Sequence, residues 1–296
     1  MKKWLEFVPI WTIVQLIRLL PLFAARRVAD MLAWGLYRMP GLRQGLVREN
    51  LERAFPDWEP KKRRRIAKDC YRFFVRAGVE WLKFETVFER EDIHLEELEK
   101  LDSYAVEGAL LVTGHLGYWE LLGGLIAERY GGIYVYADVQ SNPYSQSLID
   151  DIRARMNVTT GAGMEGIRGL NRQLEAGGFA GFVADQRPRG KPAVVDFFAH
   201  PVKATRIPAV VARRTGAAVV PAFALRGSEG QIKIKIEEPL AASRDGFAAG
   251  EEKKLLAQYN RILEEYISRY PEQYFWLHNR WKGTEKISAA DSSPPA

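Results

Sequence analysis

The run from Ala109 to Leu122 constrains the fold of this chain more than any other stretch. It begins as a short, continuous apolar segment, breaks at Gly114 and continues with residues that suit the start of a helix. A continuous apolar run of this length is typical of a strand buried on both faces, as in parallel sheets. The chain is therefore predicted to be an α/β protein, a single domain with a central, mostly parallel sheet flanked by helices.

A histidine and a glutamate lie at this predicted strand–helix junction. His115 and Glu120 are five residues apart, so within one regular helix they would point roughly 140° apart and could not meet. We therefore expect His115 in the turn and Glu120 in the first turn of the helix, where the helix dipole favours a carboxylate. From there Glu120 could hydrogen-bond one ring nitrogen of His115 and leave the other free as a base. The carboxyl end of a strand is also where open α/β sheets bind ligands.

A structural role is the alternative for these residues. A lone histidine after a buried strand is more often structural than catalytic, and Trp119 and the Leu121-Leu122 pair are predicted to belong to the core. A second set recurs at helical spacing and also indicates core packing, namely Ile66, Cys70, Phe73-Phe74, Ala77 and Trp81.

The junction resembles the His-x-x-x-x-Glu/Asp signature of the glycerolipid acyltransferase superfamily. It is most similar to the branch that contains the bacterial lipid A late acyltransferases and the mycobacterial phosphatidylinositol mannoside acyltransferases. Further blocks agree in chain order: Asn50-Leu51 with Ala54-Phe55-Pro56, Ala184-Asp185-Gln186 with Gly190 and Phe197-Phe198, Ala217 to Phe223 with Pro221, and Pro271-Glu272-Gln273 with Trp276, His278 and Arg280-Trp281-Lys282. Tyr118 departs from the pattern, because the branch usually has asparagine there.

The resemblance implies a membrane-associated O-acyltransferase at the cytoplasmic face of a bacterial inner membrane. The donor would be an acyl thioester of acyl carrier protein or coenzyme A, and the acceptor a hydroxyl of a glycolipid such as a lipid A precursor. His115 would take the hydroxyl proton and Glu120 would orient the ring, so no metal and no cofactor beyond the thioester co-substrate is expected. The alternatives are an acyltransferase for another glycolipid or a lysophospholipid, and a non-catalytic protein that binds lipid or acyl carrier protein.

Polar residues that follow a second predicted strand, Ala180 to Ala184, extend the candidate site. Asp185, Gln186 and Arg187 come directly after this strand and are expected to point into the same crevice. The resemblance suggests that Asp185 and Gln186 organise the site and that Arg187, or Arg206 before the apolar helix at 207–214, meets phosphate.

The glycine-rich segment Gly161 to Gly166 formally matches a dinucleotide fingerprint, with Asp185 near the place of its ribose-binding acid. That fingerprint needs a strong strand before it, whereas residues 157–160 are short, polar and late in the chain. We therefore interpret the segment as a turn that delivers Arg168 on the next helix toward substrate. A Rossmann-type nucleotide enzyme remains the alternative.

Charge and composition limit the classes of partner that the chain is expected to bind. The 43 lysines and arginines exceed the 37 acidic residues and give a net charge of +6, which suits nucleic acid, anionic lipid or an acidic carrier protein. The resemblance favours the last two, and no nucleic acid is expected. A single cysteine, Cys70, excludes an intramolecular disulfide and favours a reducing compartment. The sequence contains no Gly-x-Ser-x-Gly, Walker or His-Glu-x-x-His motif.

The most apolar segment is residues 4–25. Charged residues and prolines interrupt it, so it is marginal for a spanning helix, which needs about 20 nearly uncharged apolar residues. An interfacial or re-entrant anchor fits better, with tryptophans at the headgroup level and basic side chains on anionic lipid: Trp4, Trp11, Trp34, Lys2, Lys3, Arg18, Arg26 and Arg27. An apolar helix packed on the domain is the alternative.

The predicted organisation has three parts. Residues 1–40 form a membrane-associating helical segment, residues 41–286 the α/β acyltransferase domain, and residues 287–296 a disordered tail rich in serine, alanine and proline.

Overall fold

Strands and helices alternate along most of the chain. In the computed structural model, residues 2–90, 93–188, 190–240 and 251–284 are described. The strands are β1 (Ile93–His94), β2 (Ala109–Thr113), β3 (Ile133–Tyr136), β4 (Val158–Gly161), β5 (Phe179–Val183), β6 (Ala193–Phe197), β7 (His200–Ala204), β8 (Ala218–Arg226) and β9 (Ile232–Ile236). The α-helices are α1 (Lys2–Leu19), α2 (Leu22–Arg38), α3 (Gln44–Ala54), α4 (Pro60–Leu82), α5 (Phe84–Arg90), α6 (Trp119–Tyr130), α7 (Pro143–Arg155), α8 (Gly163–Glu175), α9 (Ile207–Thr215) and α10 (Glu251–Arg269).

Seven of the described strands form one sheet in the order β1-β9-β8-β2-β5-β3-β4. All neighbours in it are parallel except β8 and β9, which are antiparallel. Strand β2 lies between β8 and β5, and all five of its residues are buried. The predicted mostly parallel sheet with a buried strand at Ala109 is therefore confirmed.

Alternation along β2 divides the interior into two cores. Leu110 and Val112 pack on one face with residues of α8, α9 and α10, whereas Ala109 and Leu111 pack on the other with residues of α6 and α7. Successive side chains of a strand point to opposite faces, so a strand covered by helices on both sides must be apolar throughout. This confirms a single α/β domain with helices on both faces of the sheet.

The starts of two helices, α7 and α4, follow from local signals in the sequence. The side chain of Asn142 accepts hydrogen bonds from the backbone N–H groups of Tyr144 and Ser145, and so caps the start of α7 as predicted. Pro60 occupies the first turn of α4, where its missing N–H removes no helical hydrogen bond.

The N-terminal residues form two helices that meet at Pro21. Of the two prolines that interrupt the apolar segment, Pro9 lies inside α1 and Pro21 separates the two helices. Among the described helices, none combines the length and the apolar character that a bilayer crossing requires. Arg26 is not directed outward as expected, because its Nε donates to the buried carboxylate of Glu80 at 2.6 Å.

The hairpin of β6 and β7 is a feature that the sequence signals did not predict. Its turn residues, Phe198 and Ala199, have φ angles of 49° and 57°, which asparagine and glycine usually supply in two-residue turns. Glu264 of α10 accepts a hydrogen bond from the backbone of Phe198. Burial, helped by the nearby Asp196, raises the pKa of Glu264 to about 7.

The predicted tail at 287–296 lies outside the described residues.

Candidate active site

The candidate site lies where β2 and β5 end side by side. Thr113 of β2 pairs in register with Val183 of β5. His115 is two residues beyond Thr113, and Asp185 is two residues beyond Val183, so both side chains emerge at the same level of the sheet edge. His115 Nδ1 and Asp185 Oδ1 are 2.7 Å apart. The prediction that His115 lies in the turn before a helix is confirmed, since α6 begins at Trp119.

Asp185 is a buried carboxylate, with its side chain 2% exposed. Burial alone would raise its pKa, but the His115 ring that it contacts and the nearby Arg280 guanidinium lower the pKa below its usual range. Tyr274, also buried, adds a hydrogen bond to the same carboxylate. Asp185 is therefore ionised at neutral pH and accepts the Nδ1–H of His115.

The second ring nitrogen of His115 faces Gln186. Their Nε2 atoms are 3.2 Å apart. With the ring proton on Nδ1, the His115 Nε2 lone pair accepts the amide N–H of Gln186. The base nitrogen is thus covered by a neutral amide, which a hydroxyl-bearing ligand could displace without separating charges.

Glu120 does not pair with His115, and this expectation was wrong. It lies in the first turn of α6 as predicted, but both its carboxylate oxygens accept hydrogen bonds from Arg153 of α7, at 2.6 and 3.0 Å. The reason is geometric: α6 leads away from the junction, whereas the neighbouring strand carries Asp185 to the ring. The Arg153 guanidinium is mostly buried, which disfavours its charge, but the Glu120 carboxylate prevails and raises the pKa of Arg153.

Two aromatic rings flank His115. The Trp119 ring lies 5.0 Å from the imidazole centre and the Phe275 ring 6.0 Å. Trp119 and Trp81 of α4 were both predicted to be core residues, but both line the cavity at this site. The core prediction holds for Leu121 and Cys70, which are buried, and burial raises the pKa of the Cys70 thiol to about 12.

A cavity of about 940 Å³ opens at His115. One part of it, here called the apolar limb, runs between α6 and the sheet. The apolar limb is lined by Leu111, Leu122, Gly123, Ile126, Ile133, Val135, Ile149, Val158, Gly181 and Val183. The other part, the polar end, is lined by His115, Gln186, Arg187, Lys191 and Arg206. The cavity therefore suits a ligand with a long apolar portion and a polar head.

The predicted basic residues reach the cavity in two of three cases. Arg187 lines it, and its backbone N–H donates to His278 Nε2 at 3.3 Å. Arg206 lines it while its Nε donates to Glu252 at 2.7 Å. Burial lowers the pKa of His278 to about 4, so this imidazole stays neutral beside the site.

Arg168 is the exception. Its side chain is 68% exposed on α8 and pairs with Glu165, while Met164 and Ile167 of the same helix line the cavity. The periodicity of the helix turns Arg168 outward. The glycines before it serve close packing, since a Cβ at Gly166 would lie 2.6 Å from the Gly161 carbonyl oxygen.

Tyr118, which departs from the family pattern, points into the protein. It is buried, and its hydroxyl accepts a hydrogen bond from Arg226 Nε at 2.6 Å. Arg226 also bonds the buried Glu80 at 3.0 Å. Burial and the Glu80 charge raise the pKa of Tyr118, so it stays a neutral phenol. The residues that line the cavity do not include Tyr118.

Arg153, Phe275 and Lys191 are site residues that the sequence interpretation missed. The first two reach the cavity from elements distant in sequence. No local motif marks Arg153, whereas Phe275 directly precedes Trp276 in the C-terminal block of the family resemblance. Lys191 follows the Asp185 block directly, and its position after a strand that ends at the site was a usable signal. Among the described residues, no group of three His, Cys, Asp or Glu side chains is placed to hold a metal ion.

Comparison with known proteins gives consistent results. The family model described as bacterial lipid A biosynthesis acyltransferase matches residues 1–283. Two proteins of Escherichia coli (strain K12), lipid A biosynthesis palmitoleoyltransferase and lipid A biosynthesis lauroyltransferase, are each 26% identical to this chain, over 291 and 290 residues that cover 94% of this chain and 90% of the relative. The lipid A biosynthesis acyltransferase of Haemophilus influenzae (strain ATCC 51907 / DSM 11121 / KW20 / Rd) is 26% identical over 251 residues, 81% of this chain and 78% of the relative.

Proposed function

This chain belongs to the bacterial lipid A biosynthesis acyltransferase family, and on that premise we propose that it transfers a fatty acyl chain from an acyl thioester to a hydroxyl of a lipid A precursor. The observation that carries this proposal is the pair His115–Asp185 at a cavity with an apolar limb, with the second ring nitrogen of His115 covered only by the neutral amide of Gln186. Relatives named for palmitoleoyl and lauroyl transfer are equally similar to the chain, so identity selects neither acyl length.

In the proposed mechanism, His115 is the general base. Asp185 holds the proton on Nδ1, so Nε2 takes the proton of the acceptor hydroxyl as its oxygen attacks the thioester carbonyl. The imidazolium that forms is stabilised by the buried Asp185 carboxylate, and it then protonates the leaving thiolate. This role was expected of Glu120. Glu120 instead forms an ion pair with Arg153, and we propose that its role is to hold α6 against α7 at the rim of the cavity.

The cavity fits both halves of the reaction. Its volume, about 940 Å³, lies at the upper end of ordinary ligand cavities. The apolar limb offers only aliphatic side chains and glycines, which suits an acyl chain. Arg187, Lys191 and Arg206 at the polar end suit phosphate, either of a phosphorylated glycolipid or of the phosphopantetheine arm that both candidate donors share.

The N-terminal helices support association with a membrane surface. Large apolar side chains are exposed on α1 and α2, among them Trp4, Leu16, Leu19, Phe23, Met31 and Trp34. The start of α1 is fastened near the cavity: Lys3 Nζ donates to the Ser141 carbonyl at 2.9 Å, and the Asn142 amide donates to the Lys3 carbonyl at 2.8 Å. The preceding residues Asp138 and Gln140 line the cavity. We propose an interfacial anchor at the cytoplasmic face of the inner membrane that presents the cavity to lipid.

The donor is proposed to be an acyl thioester of acyl carrier protein or coenzyme A. The net charge of +6 favours an acidic carrier protein as much as anionic lipid. Four of the five basic residues at 61–65 are exposed on α4, and Arg63 pairs with Glu52 of α3. These exposed residues are candidates for contact with either acidic partner.

The test is acyl transfer by the detergent-purified protein. Thiol release from acyl carrier protein and coenzyme A donors is followed with a bacterial glycolipid extract as acceptor, and products are weighed by mass spectrometry. His115→Ala is expected to lower turnover about 10³-fold, whereas His200→Ala, which removes an exposed imidazole of the β6–β7 hairpin, should not change it.

A lipid A precursor whose mass has increased by one acyl chain would support the proposal. The same mass increase on a lysophospholipid or another glycolipid would identify that lipid as the acceptor instead. No release with either donor, from folded protein, would contradict the proposed reaction and favour a binding protein.

A further inference from the structure

Thr113 ends β2 and lines the same cavity as His115, two residues away. The residue is 8% exposed, and within the part of the chain that the structure describes its Oγ1 has no hydrogen-bond partner. The backbone at this point is fully used, because the Thr113 carbonyl accepts hydrogen bonds from the Tyr259 hydroxyl at 2.7 Å and the Ala184 N–H at 2.8 Å. A buried hydroxyl without a partner is unfavourable and calls for an explanation, such as a ligand.

The position of Thr113 fits the carbonyl group of an acyl thioester. Strand alternation puts Thr113 on the same face of β2 as Leu111, which lines the apolar limb, and its register partner Val183 lines the apolar limb as well. Thr113 thus lies where the apolar limb meets His115. An acyl chain seated in the apolar limb, with its reactive carbon next to His115, brings its carbonyl oxygen to this hydroxyl.

Among the described residues, the buried Trp81 Nε1 also has no hydrogen-bond partner at this cavity. Trp81 lies seven residues after Phe74 on α4, and the Phe74 ring packs 5.1 Å from Phe275 beside His115. Seven helical residues span about 10 Å. Trp81 is therefore displaced along the helix from the reacting position, whereas Thr113 is only two residues from His115 in the chain.

Three backbone donors near His115 are already engaged. The N–H of His115 bonds Asp185, the N–H of Gly117 bonds the Gln273 carbonyl at 2.9 Å, and the N–H of Tyr118 bonds the Ala224 carbonyl at 2.8 Å. A developing oxyanion here needs a donor that the fold has not already used, and Thr113 Oγ1 is one.

We propose that the Thr113 hydroxyl donates a hydrogen bond to the thioester carbonyl oxygen and to the oxyanion formed from it, an inference that rests on the proposed function. The acceptor oxygen bonds to the carbonyl carbon, its proton moves to His115 Nε2, and the C=O π pair becomes the oxyanion held by Thr113. When the C=O bond re-forms, the C–S bond breaks, and the thiolate takes the proton from His115. No other reactant is consumed.

The central test is Thr113→Val, which keeps the shape of the side chain and removes only the hydroxyl. Loss of one oxyanion donor is expected to lower kcat about 10²-fold, with KM for the donor within about threefold. The melting temperature should stay the same or rise, because the hydroxyl has no hydrogen-bond partner to lose in the described part of the chain. Thr113→Ser should retain most turnover, and Thr159→Val, an exposed threonine on β4, should match the wild type.

Binding of two pantetheine thioethers gives a readout that needs no acceptor. One carries a long-chain 2-oxoalkyl group and the other the same alkyl chain without the ketone. The wild type should bind the ketone more tightly, and Thr113→Val should bind both equally.

A Thr113→Val protein with wild-type kcat and an unchanged ketone preference overturns the inference alone. So does a kcat loss that is accompanied by a lower melting temperature. If the wild type neither transfers an acyl chain nor binds either thioether, the proposed function is wrong and the inference fails with it.

Discussion

His115 is held at both ring nitrogens by residues of the neighbouring strand end. Asp185 contacts Nδ1 at 2.7 Å and Gln186 contacts Nε2 at 3.2 Å. An ionised partner on Nδ1 both selects the tautomer and strengthens the base as it takes up a proton. In the proposed mechanism, the carboxylate that orients His115 is therefore Asp185 and not the glutamate of the local sequence motif.

Asp185→Asn tests this dependence directly. The amide has nearly the same shape but can donate to Nδ1, which would put the ring proton on Nε2 and remove the base. We expect kcat to fall about 10³-fold or more while the far-ultraviolet circular dichroism spectrum is unchanged. Turnover near the wild-type level in a folded Asp185→Asn protein would exclude Asp185 as the orienting group.

The ion pair between Glu120 and Arg153 joins α6 to α7 at the cavity. Both side chains are mostly buried, so the loss of either one leaves a charge poorly solvated. Glu120→Gln and Arg153→Gln should each lower the free energy of unfolding by about 1–3 kcal/mol, between the values for exposed and fully buried pairs.

The double variant decides whether the bridge is a unit. In each single variant one buried charge is left without its partner. The double variant removes both charges, so it should lose less stability than the sum of the losses in the two single variants. Urea denaturation of the four proteins measures this coupling, and strictly additive losses would show that the two residues act separately.

Glu264 makes the contact between α10 and the β6–β7 hairpin sensitive to pH. Its pKa is about 7 in the folded protein, against 4.5 for an ordinary glutamate. Between these values the folded chain binds more protons than the unfolded chain, so this residue's contribution makes stability fall as pH rises from about 4.5 to 7.

Glu264→Gln should therefore raise the melting temperature at pH 8 and leave it nearly unchanged at about pH 3.5, below the ordinary pKa of 4.5, where the carboxyl is mostly protonated in both states. Melting curves of the two proteins across this range are the measurement. An equal difference at both pH values would mean that ionisation of Glu264 does not account for the effect.

The sequence predicted the elements of the site better than their pairing. The buried strand at Ala109, the turn at His115 and the position of Glu120 follow from local patterns. The partner of His115 does not, because it depends on β5 lying next to β2, and strand order is set by packing of the whole chain. The β6–β7 hairpin was not predicted for a different reason, since Phe198 and Ala199 are not residues typical of a tight turn.

The exposed apolar surface of the molecule is concentrated on α1 and α2, and the start of α1 is hydrogen-bonded to residues next to the cavity. Leu19 and Phe23 are 82% and 73% exposed. Side chains of this size gain about 1.5–3 kcal/mol when fully buried in an apolar phase. Such residues are stable on the surface of a folded protein but favour contact with lipid.

Leu19→Glu combined with Phe23→Glu should weaken binding to anionic lipid vesicles at least about tenfold without lowering the melting temperature. Val106→Glu is the matched control, because Val106 is an exposed apolar residue just before β2, at the opposite end of the strand from His115. Vesicle co-sedimentation compares the three proteins. Equal loss in both variants would show that the N-terminal surface has no special role.

The pairing of β2 with β5 also bears on how the protein acquires activity as it folds. His115 and Asp185 are 70 residues apart in sequence and meet only when these two central strands are hydrogen-bonded in the correct register. A chain emerging from the ribosome therefore carries an unoriented imidazole until β5 has been synthesised and has joined the sheet. Recovery of turnover during refolding should follow formation of this long-range contact, because pairing of strands that are distant in sequence is slow compared with helix formation.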